Sequence, residues 1–162
     1  MFALVVLPSF ARRDAIRKVI MTTRAQLSES AKNEGGHTDL MRAALEGRTE
    51  AVKTLLENKS DVNEKDDEGR TALMFAVTNM HADTAKALLE HGADVNVTAN
   101  DGSTALILAA SSGASEIVRD LLSKGADVSA KLTQTGKAAL TLAREKGYKE
   151  MVELLEAAGA KQ

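Results

Sequence analysis

The stretch "DGSTALILAASSGASEIVRDLLSKGADVS", residues 101–129, holds two short apolar stripes separated by a glycine. Leu106, Ala109 and Ala110 are spaced i, i+3 and i+4, which places them on one face of a helix. The second stripe stops before Gly125, where the chain needs a left-handed residue that glycine adopts at little cost. The stretch therefore predicts two short helices joined by a turn.

Nearly the same stretch occurs four times along the chain. The glycines that precede an apolar run are Gly36, Gly69, Gly102 and Gly136, so the spacing is 33, 33 and 34 residues. Helices this short are marginal in water on their own, because isolated helices below roughly 12–15 residues are unstable. Each unit must bury its stripes on the next unit, which predicts an all-α solenoid of stacked helix-turn-helix units with hairpin-like connectors.

The units resemble ankyrin repeats, whose pattern is D-x-x-G-x-T-P-L-H-x-A-A, then G-x-x-x-I-V-x-x-L-L, then G-A-D-V-N. Residues 101–129 match this pattern at most positions. The resemblance implies an N-terminal segment over residues 1–34 and an ankyrin repeat domain over residues 35–162. The expected repeats are about 36–68, 69–101, 102–135 and 136–162.

Two departures from the pattern predict strained backbone. Lys59 replaces the glycine that ends the second helix of repeat one, and Met80 replaces the glycine between the helices of repeat two. A non-glycine residue with a positive φ costs about 1–2 kcal/mol. We therefore expect Lys59→Gly to stabilise the fold.

The start of a helix and the end of the repeat array also leave signals. Thr104 precedes an apolar stripe and is predicted to cap that helix by accepting from its free N–H groups. Glu156 stands where the second helices of the other repeats have a leucine, such as Leu89. A polar residue suits a face without a further neighbour, so residues 136–162 are predicted to be the C-terminal cap.

The N-terminal segment differs in charge from the repeats. Residues 1–34 carry six basic and three acidic side chains, net +3, whereas residues 35–162 are net -5. Residues 9–27 could form a capping helix over repeat one or a degenerate repeat, or translation could start at Met21. A third interpretation is a basic amphipathic helix that contacts a membrane or a partner.

Composition and motifs argue against catalysis. Cysteine is absent, which excludes disulfides and thiolate metal sites. His37, His81 and His91 lack metal-ligand spacing, and no phosphate-binding or nucleophile motif is present. Nucleic-acid binding is disfavoured, because the repeats are acidic and aromatic content is 2%. We expect a protein that is not an enzyme and holds no cofactor and no metal.

No apolar run approaches the roughly 20 residues of a membrane helix. The first apolar stretch lacks the preceding basic residues of an export signal, so a cytoplasmic location is expected. We expect no membrane association.

The resemblance implies that function resides on a concave face built from the connector tips and the exposed sides of the first helices. The candidate protein-binding residues are His37, Leu45, Glu46, Asp67, Glu68, Arg70, Met74, Thr78, Asn79, Asn100, Asp101, Ser103, Ser111, Ser112, Lys137 and Glu145, with Glu34, Gln134, Thr135 and Lys146 beside them. The alternative is that these are simply solvated positions that vary between repeats.

Within that surface Leu45, Arg70 and Met74 are the expected anchors, because large side chains carry most binding energy. Acidic connector tips favour a basic partner. The leading interpretation is an interaction module that acts as an adaptor, an inhibitor or a regulatory subunit. The alternative is a structural protein that self-associates through the apolar segment "FALVVL". A monomer is favoured, with a homo-oligomer through residues 1–20 as the other outcome.

Overall fold

The structure is a computed structural model that describes residues 32–160. The predicted capping helix or degenerate repeat, the basic amphipathic helix and the self-associating segment all fall before residue 32. These predictions lie outside the described residues, as does the alternative start at Met21.

Residues 32–160 form eight helices in four consecutive pairs and contain no strand, which confirms the all-α solenoid. Each pair consists of a first and a second helix, and each repeat holds one pair. The helices are α1 Asp39–Leu45, α2 Thr49–Glu57, α3 Ala72–Thr78, α4 Ala82–Glu90, α5 Ala105–Ser112, α6 Ser115–Ser123, α7 Ala139–Lys146 and α8 Lys149–Ala157.

The core runs through the repeats without interruption. Each first helix packs on the first helix of the next repeat and on its own second helix, and the second helices form a parallel row. Leu88, Leu121 and Leu155 hold one register in α4, α6 and α8, and all three are fully buried. Burying one such leucine stabilises the fold by roughly 1.5–3 kcal/mol. Stability is therefore shared between repeats and their interfaces, as the short helices require.

The connectors between repeats are closed by backbone hydrogen bonds. In the connector before α3, the N–H of Asp66 donates to the carbonyl of Arg70 at 2.9 Å. In the connector before α5, Ala99 donates to Ser103 at the same distance. The connector before α7 contains an isolated antiparallel β-bridge between Lys131 and Ala138. These are the hairpin-like connectors that the sequence predicts.

Neighbouring connector tips are joined to one another. The N–H of Asn100 donates to the carbonyl of Glu68 at 2.9 Å, and the N–H of Thr133 donates to the carbonyl of Asp101 at 2.9 Å. The backbone N–H and carbonyl groups of the connector tips thus find hydrogen-bond partners although the connectors form no sheet. The tips therefore form a row with a fixed spacing, which sets the positions of their side chains.

The helix-end predictions are confirmed. The hydroxyl of Thr104 accepts from the N–H of Ile107 at 3.3 Å. Lys59 has a φ of 66° and Met80 a φ of 57°, the two non-glycine residues with positive φ in the described chain. Glu156 is exposed on α8.

The turn within each repeat lies close to the next repeat. A Cβ atom added to Gly47 would lie 2.6 Å from the ring of His81, and one added to Gly113 would lie 3.0 Å from the ring of Tyr148. Met80 occupies the same turn in repeat two, and the residue in the register of those two rings is Ala114. Glycine in this turn therefore adopts the positive φ and also leaves room for the ring of the next repeat. Met80 is the one residue with a side chain in this turn of the described repeats, and the residue of the next repeat opposite it is the small Ala114.

Candidate functional site

A groove of about 540 Å³ lies along the first helices and connector tips of the first three repeats. Its walls come from the tips of two connectors and from the first helices α1, α3 and α5. The lining residues are Leu45, Glu68, Arg70, Met74, Phe75, Thr78, Asn79, Ala99, Asn100, Asp101, Ser103 and Leu108.

A buried carboxylate fixes one wall of the groove. The side chain of Asp66 is fully buried, and one of its oxygens accepts from the N–H groups of Glu68 at 3.0 Å and Arg70 at 2.8 Å. The other oxygen accepts from Nε of Arg70 at 2.8 Å. Burial raises the pKa of Asp66, but the hydrogen bonds from Arg70 and its charge outweigh burial and hold the pKa below the ordinary value of 3.8. Asp66 is therefore held as a carboxylate that positions Arg70.

Arg70 is held from several sides. Its guanidinium lies 4.8 Å from the centre of the Phe75 ring, and its Nη1 lies 2.8 Å from a carboxylate oxygen of Glu68. A cation at this distance from an aromatic ring is attracted to the ring face. Arg70 therefore forms a fixed wall of the groove, with its charge largely compensated inside the chain.

His37 completes this cluster from the preceding connector. Its ring packs edge-on against Phe75, with ring centres 5.0 Å apart. Its Nε2 lies 3.3 Å from Nη2 of Arg70 and 3.3 Å from an oxygen of Asp66. Nε2 accepts from Arg70 when it carries no hydrogen and donates to Asp66 when it carries one. His37 thus supports the side chain of Arg70 from outside the groove and ties two connectors together.

The next connector uses a different residue for the same turn. Ala99 stands in the register of Asp66 and has no carboxylate, and Asp101 takes over by accepting from both the N–H of Ser103 at 2.9 Å and its hydroxyl at 2.6 Å. These two hydrogen bonds hold the pKa of Asp101 below 3.8. A carboxylate that is ionised at neutral pH therefore stands at the edge of the groove.

The polar side chains at the ends of the first helices donate to carbonyls of their own helices. The hydroxyl of Thr78 donates to the carbonyl of Met74 at 2.9 Å, and the amide of Asn79 donates to the carbonyl of Phe75 at 2.9 Å. Ser112 bonds its own helix in the same way. Thr78 and Ser112 retain an accepting oxygen, and Asn79 retains its amide oxygen and one of its two N–H donors.

Most of the predicted surface residues come together in the groove. Those that line it are Leu45, Glu68, Arg70, Met74, Thr78, Asn79, Asn100, Asp101 and Ser103. The others predicted are His37, Glu46, Asp67, Ser111, Ser112, Lys137 and Glu145, which lie outside the lining.

Two of the predicted residues are buried. Met74 is 2% exposed and Ser103 is 4% exposed, so neither offers the open side chain expected of it. Met74 shares a register with Met41 and Ile107, which are buried as well. An apolar residue in all three copies was the signal that this position faces the core.

Three important residues were not among those predicted, namely Asp66, Phe75 and Leu108. The sequence did hold a signal for two of them, because Phe75 and Leu108 occupy a register that is Arg42 in repeat one. A position that is large in every copy and changes its chemistry indicates the edge of the core, and here Arg42 is exposed, Leu108 is half-buried and Phe75 is 8% exposed. Asp66 left no such signal, because its role depends on Arg70 four residues later.

The predicted residues of repeat four form a separate pair. Nζ of Lys137 lies 2.7 Å from a carboxylate oxygen of Glu145.

Between residues 32 and 160, no group of three or more His, Cys, Asp or Glu side chains is placed to hold a metal ion. None of the helices in this range is both long and apolar enough to span a bilayer.

A family model described as ankyrin repeats (3 copies) matches residues 14–99, 40–131 and 97–162. These matches cover most of the chain, which therefore belongs to the ankyrin repeat family. Comparison with curated proteins found no match. Ankyrin repeats are in general protein–protein interaction modules, and the family is typically non-enzymatic.

Proposed function

We propose that this chain is a non-enzymatic binding module that holds a protein partner on its concave face and acts as an adaptor, an inhibitor or a regulatory subunit. The observation that carries this proposal is the groove over repeats one to three. It has fixed walls and a volume of about 540 Å³, which is within the range of ligand clefts. A cytoplasmic location remains a prediction.

The rigidity of the groove supports a binding role. Its acidic and basic side chains are held by Asp66, Arg70 and the bonds between connector tips, so little side-chain freedom is lost when a partner binds. Binding is stronger when the surface is already ordered, because each immobilised side chain otherwise costs roughly 0.5–1.5 kcal/mol.

Affinity capture from an extract of cells that express the chain tests the proposal. The test variant carries Leu45→Arg and Asn79→Arg, two exposed positions of the groove. The matched control carries Thr54→Arg and Ser123→Arg, exposed uncharged positions on the second helices, so it adds the same charge as the test variant. We expect one protein to be retained by the wild type and the control and lost from the test variant, with equal helical content in all three. Equal capture by the test variant would refute concave-face binding.

The expected monomer is tested by light scattering of the full chain and of residues 29–162. A mass of one chain for both is expected. A dimer formed by the full chain alone would instead support self-association through residues 1–20.

A further inference from the structure

We infer that the groove accepts a partner segment in which a large apolar side chain stands next to a lysine or an arginine. This inference rests on the proposed function and specifies the partner's chemistry. It follows from the hydrogen-bonding capacity, the charge and the apolar surface of the groove.

The groove presents acceptors. The one donor of Thr78 and one amide N–H each of Asn79 and Asn100 already bond to backbone carbonyls, and Nε and Nη1 of Arg70 are paired with carboxylates. The oxygens of Thr78 and Asn79 and the second carboxylate oxygen of Asp101 remain as acceptors. A partner that brings donors satisfies these groups, whereas a partner that brings acceptors leaves them unsatisfied at a cost.

The ionisable side chains around the groove carry a net negative charge. Arg70 is the one cation among the lining residues of the described chain, and its guanidinium is paired with Asp66 and Glu68. Asp67 and Asp101 add two exposed carboxylates on the adjacent tips. The carboxylates thus outnumber the cation by three. Charge complementarity selects a cationic segment, because like charges brought together at an interface are strongly disfavoured.

The floor of the groove is apolar. Leu45 is 40% exposed and is one of two large hydrophobic side chains that are exposed in the described chain, the other being Met80 at 60%. Leu108 is half-buried on the opposite side, and Phe75 lies between them. An apolar side chain that covers Leu45 removes this surface from water, at roughly 25 cal/mol for each Å². Met80 is not among the lining residues, so a substitution of Met80 is a control for the same kind of substitution at Leu45.

Selection of random peptides displayed on phage against the immobilised full chain tests the inference. We expect the enriched peptides to carry Leu, Ile or Phe with Lys or Arg within a few positions. Synthetic copies are then titrated by fluorescence anisotropy. Asp67→Asn with Asp101→Asn should weaken binding by about three- to tenfold at low salt, and less at high salt. Asparagine keeps the oxygen that accepts from Ser103, so the connector is preserved.

Matched variants separate the groove from the rest of the surface. Glu57→Gln with Glu90→Gln removes two exposed carboxylates from the second helices and should leave affinity unchanged. Leu45→Ser should weaken binding by about tenfold, as expected for loss of one apolar anchor, whereas Met80→Ser should not. Circular dichroism of each variant verifies that it is folded.

The outcomes distinguish this inference from the proposed function. Acidic or wholly polar peptides whose binding is lost in Leu45→Ser would overturn the inference and leave concave-face binding standing. Peptides that bind all variants equally would overturn both. Selection of no peptide above the level of an unrelated immobilised protein would overturn the inference, while the capture experiment with the concave-face variant still decides the proposed function.

Discussion

Repeats two and four have the same sequence pattern but differ in how much of it they bury. In repeat two, α3 buries every residue from Ala72 to Val77, whereas in repeat four α7 buries only Ala139, Leu140 and Ala143. Repeat two has a packed repeat on either side in the described chain, and repeat four has one on one side. Burial in this protein is therefore decided by the neighbouring repeat as much as by the helix itself.

The largest expected effect comes from exchanging residues at one register. Leu89 of α4 is 6% exposed, whereas Glu156 of α8 is exposed and pairs with Arg144. Leu89→Glu should lower the free energy of unfolding by at least about 3 kcal/mol, because it removes buried apolar surface and buries a charge. Glu156→Leu should change it by no more than about 0.5 kcal/mol.

Urea denaturation followed by circular dichroism measures both variants, since the chain has no tryptophan. Similar losses in the two repeats would contradict the view that the neighbour decides burial.

A second contrast lies in the connectors that lead to these repeats. Asp66 anchors the connector before repeat two, and its counterpart before repeat four is Leu132. Asp66→Asn should cost about 2 kcal/mol at neutral pH, because the buried ionic partner of Arg70 is lost. The folded state lowers the pKa of Asp66 below 3.8, so this contribution is present above pH 3.8 and disappears as the pH falls through the lowered pKa.

Urea titrations at several pH values should therefore show the wild type and Asp66→Asn converging below pH 3.8. Asp67→Asn, an exposed carboxylate one residue later, is the control and should follow the wild type throughout. A difference between wild type and Asp66→Asn that is independent of pH would show that charge is not the cause.

The turns inside the repeats give a smaller contrast. Met80 of repeat two has a φ of 57°, and Gly147 of repeat four has a φ of 74° with open space around an added Cβ. Met80→Gly should stabilise by about 1 kcal/mol, and Gly147→Met should destabilise by a similar amount, because only glycine adopts this backbone at little cost. Thermal unfolding of the two variants measures the effect. The prediction requires that Met80→Gly raises the melting temperature and Gly147→Met lowers it. If both variants melt at a lower temperature than the wild type, side-chain packing and not backbone strain is the cause.

The smallest effect is expected at the end of α2. Lys59→Gly should raise the free energy of unfolding by about 0.5 kcal/mol, since relief of the left-handed strain is partly offset by the loss of a cation at a helix C-terminus. The matched change is Gly92→Lys at the same position of repeat two, where an added Cβ meets nothing within 4 Å. It should lower stability by a comparable amount. A melting temperature of Lys59→Gly that is unchanged or lower would contradict the prediction.

The repeat architecture was readable from the sequence because it depends on spacing. The glycines at Gly36, Gly69 and Gly102 define the register, and register alone predicts the helix pairs and the positive φ of Lys59 and Met80. The details of the groove were less predictable, because they depend on which side chains meet across two repeats.

The cluster around Arg70 shows this limit. Its position requires the carboxylate of Asp66, the ring of Phe75 and the ring of His37, which come from two connectors and a helix. Register places these residues near one another but does not specify that they bond. For the same reason the sequence predicted Met74 as an exposed anchor, although its side chain belongs to the core.

The close approach between the turn of one repeat and the start of the next second helix restricts how the chain can be shortened. Deleting residues 102–135 would join repeat two to repeat four and bring Met80 to the register of Tyr148, where even a Cβ added to Gly113 would lie only 3.0 Å from the ring. Deleting residues 69–101 would instead place Gly47 opposite Ala114, where there is room. The repeats therefore cannot be exchanged freely, because the turn residue of each repeat has to fit the residue that precedes the second helix of the next repeat.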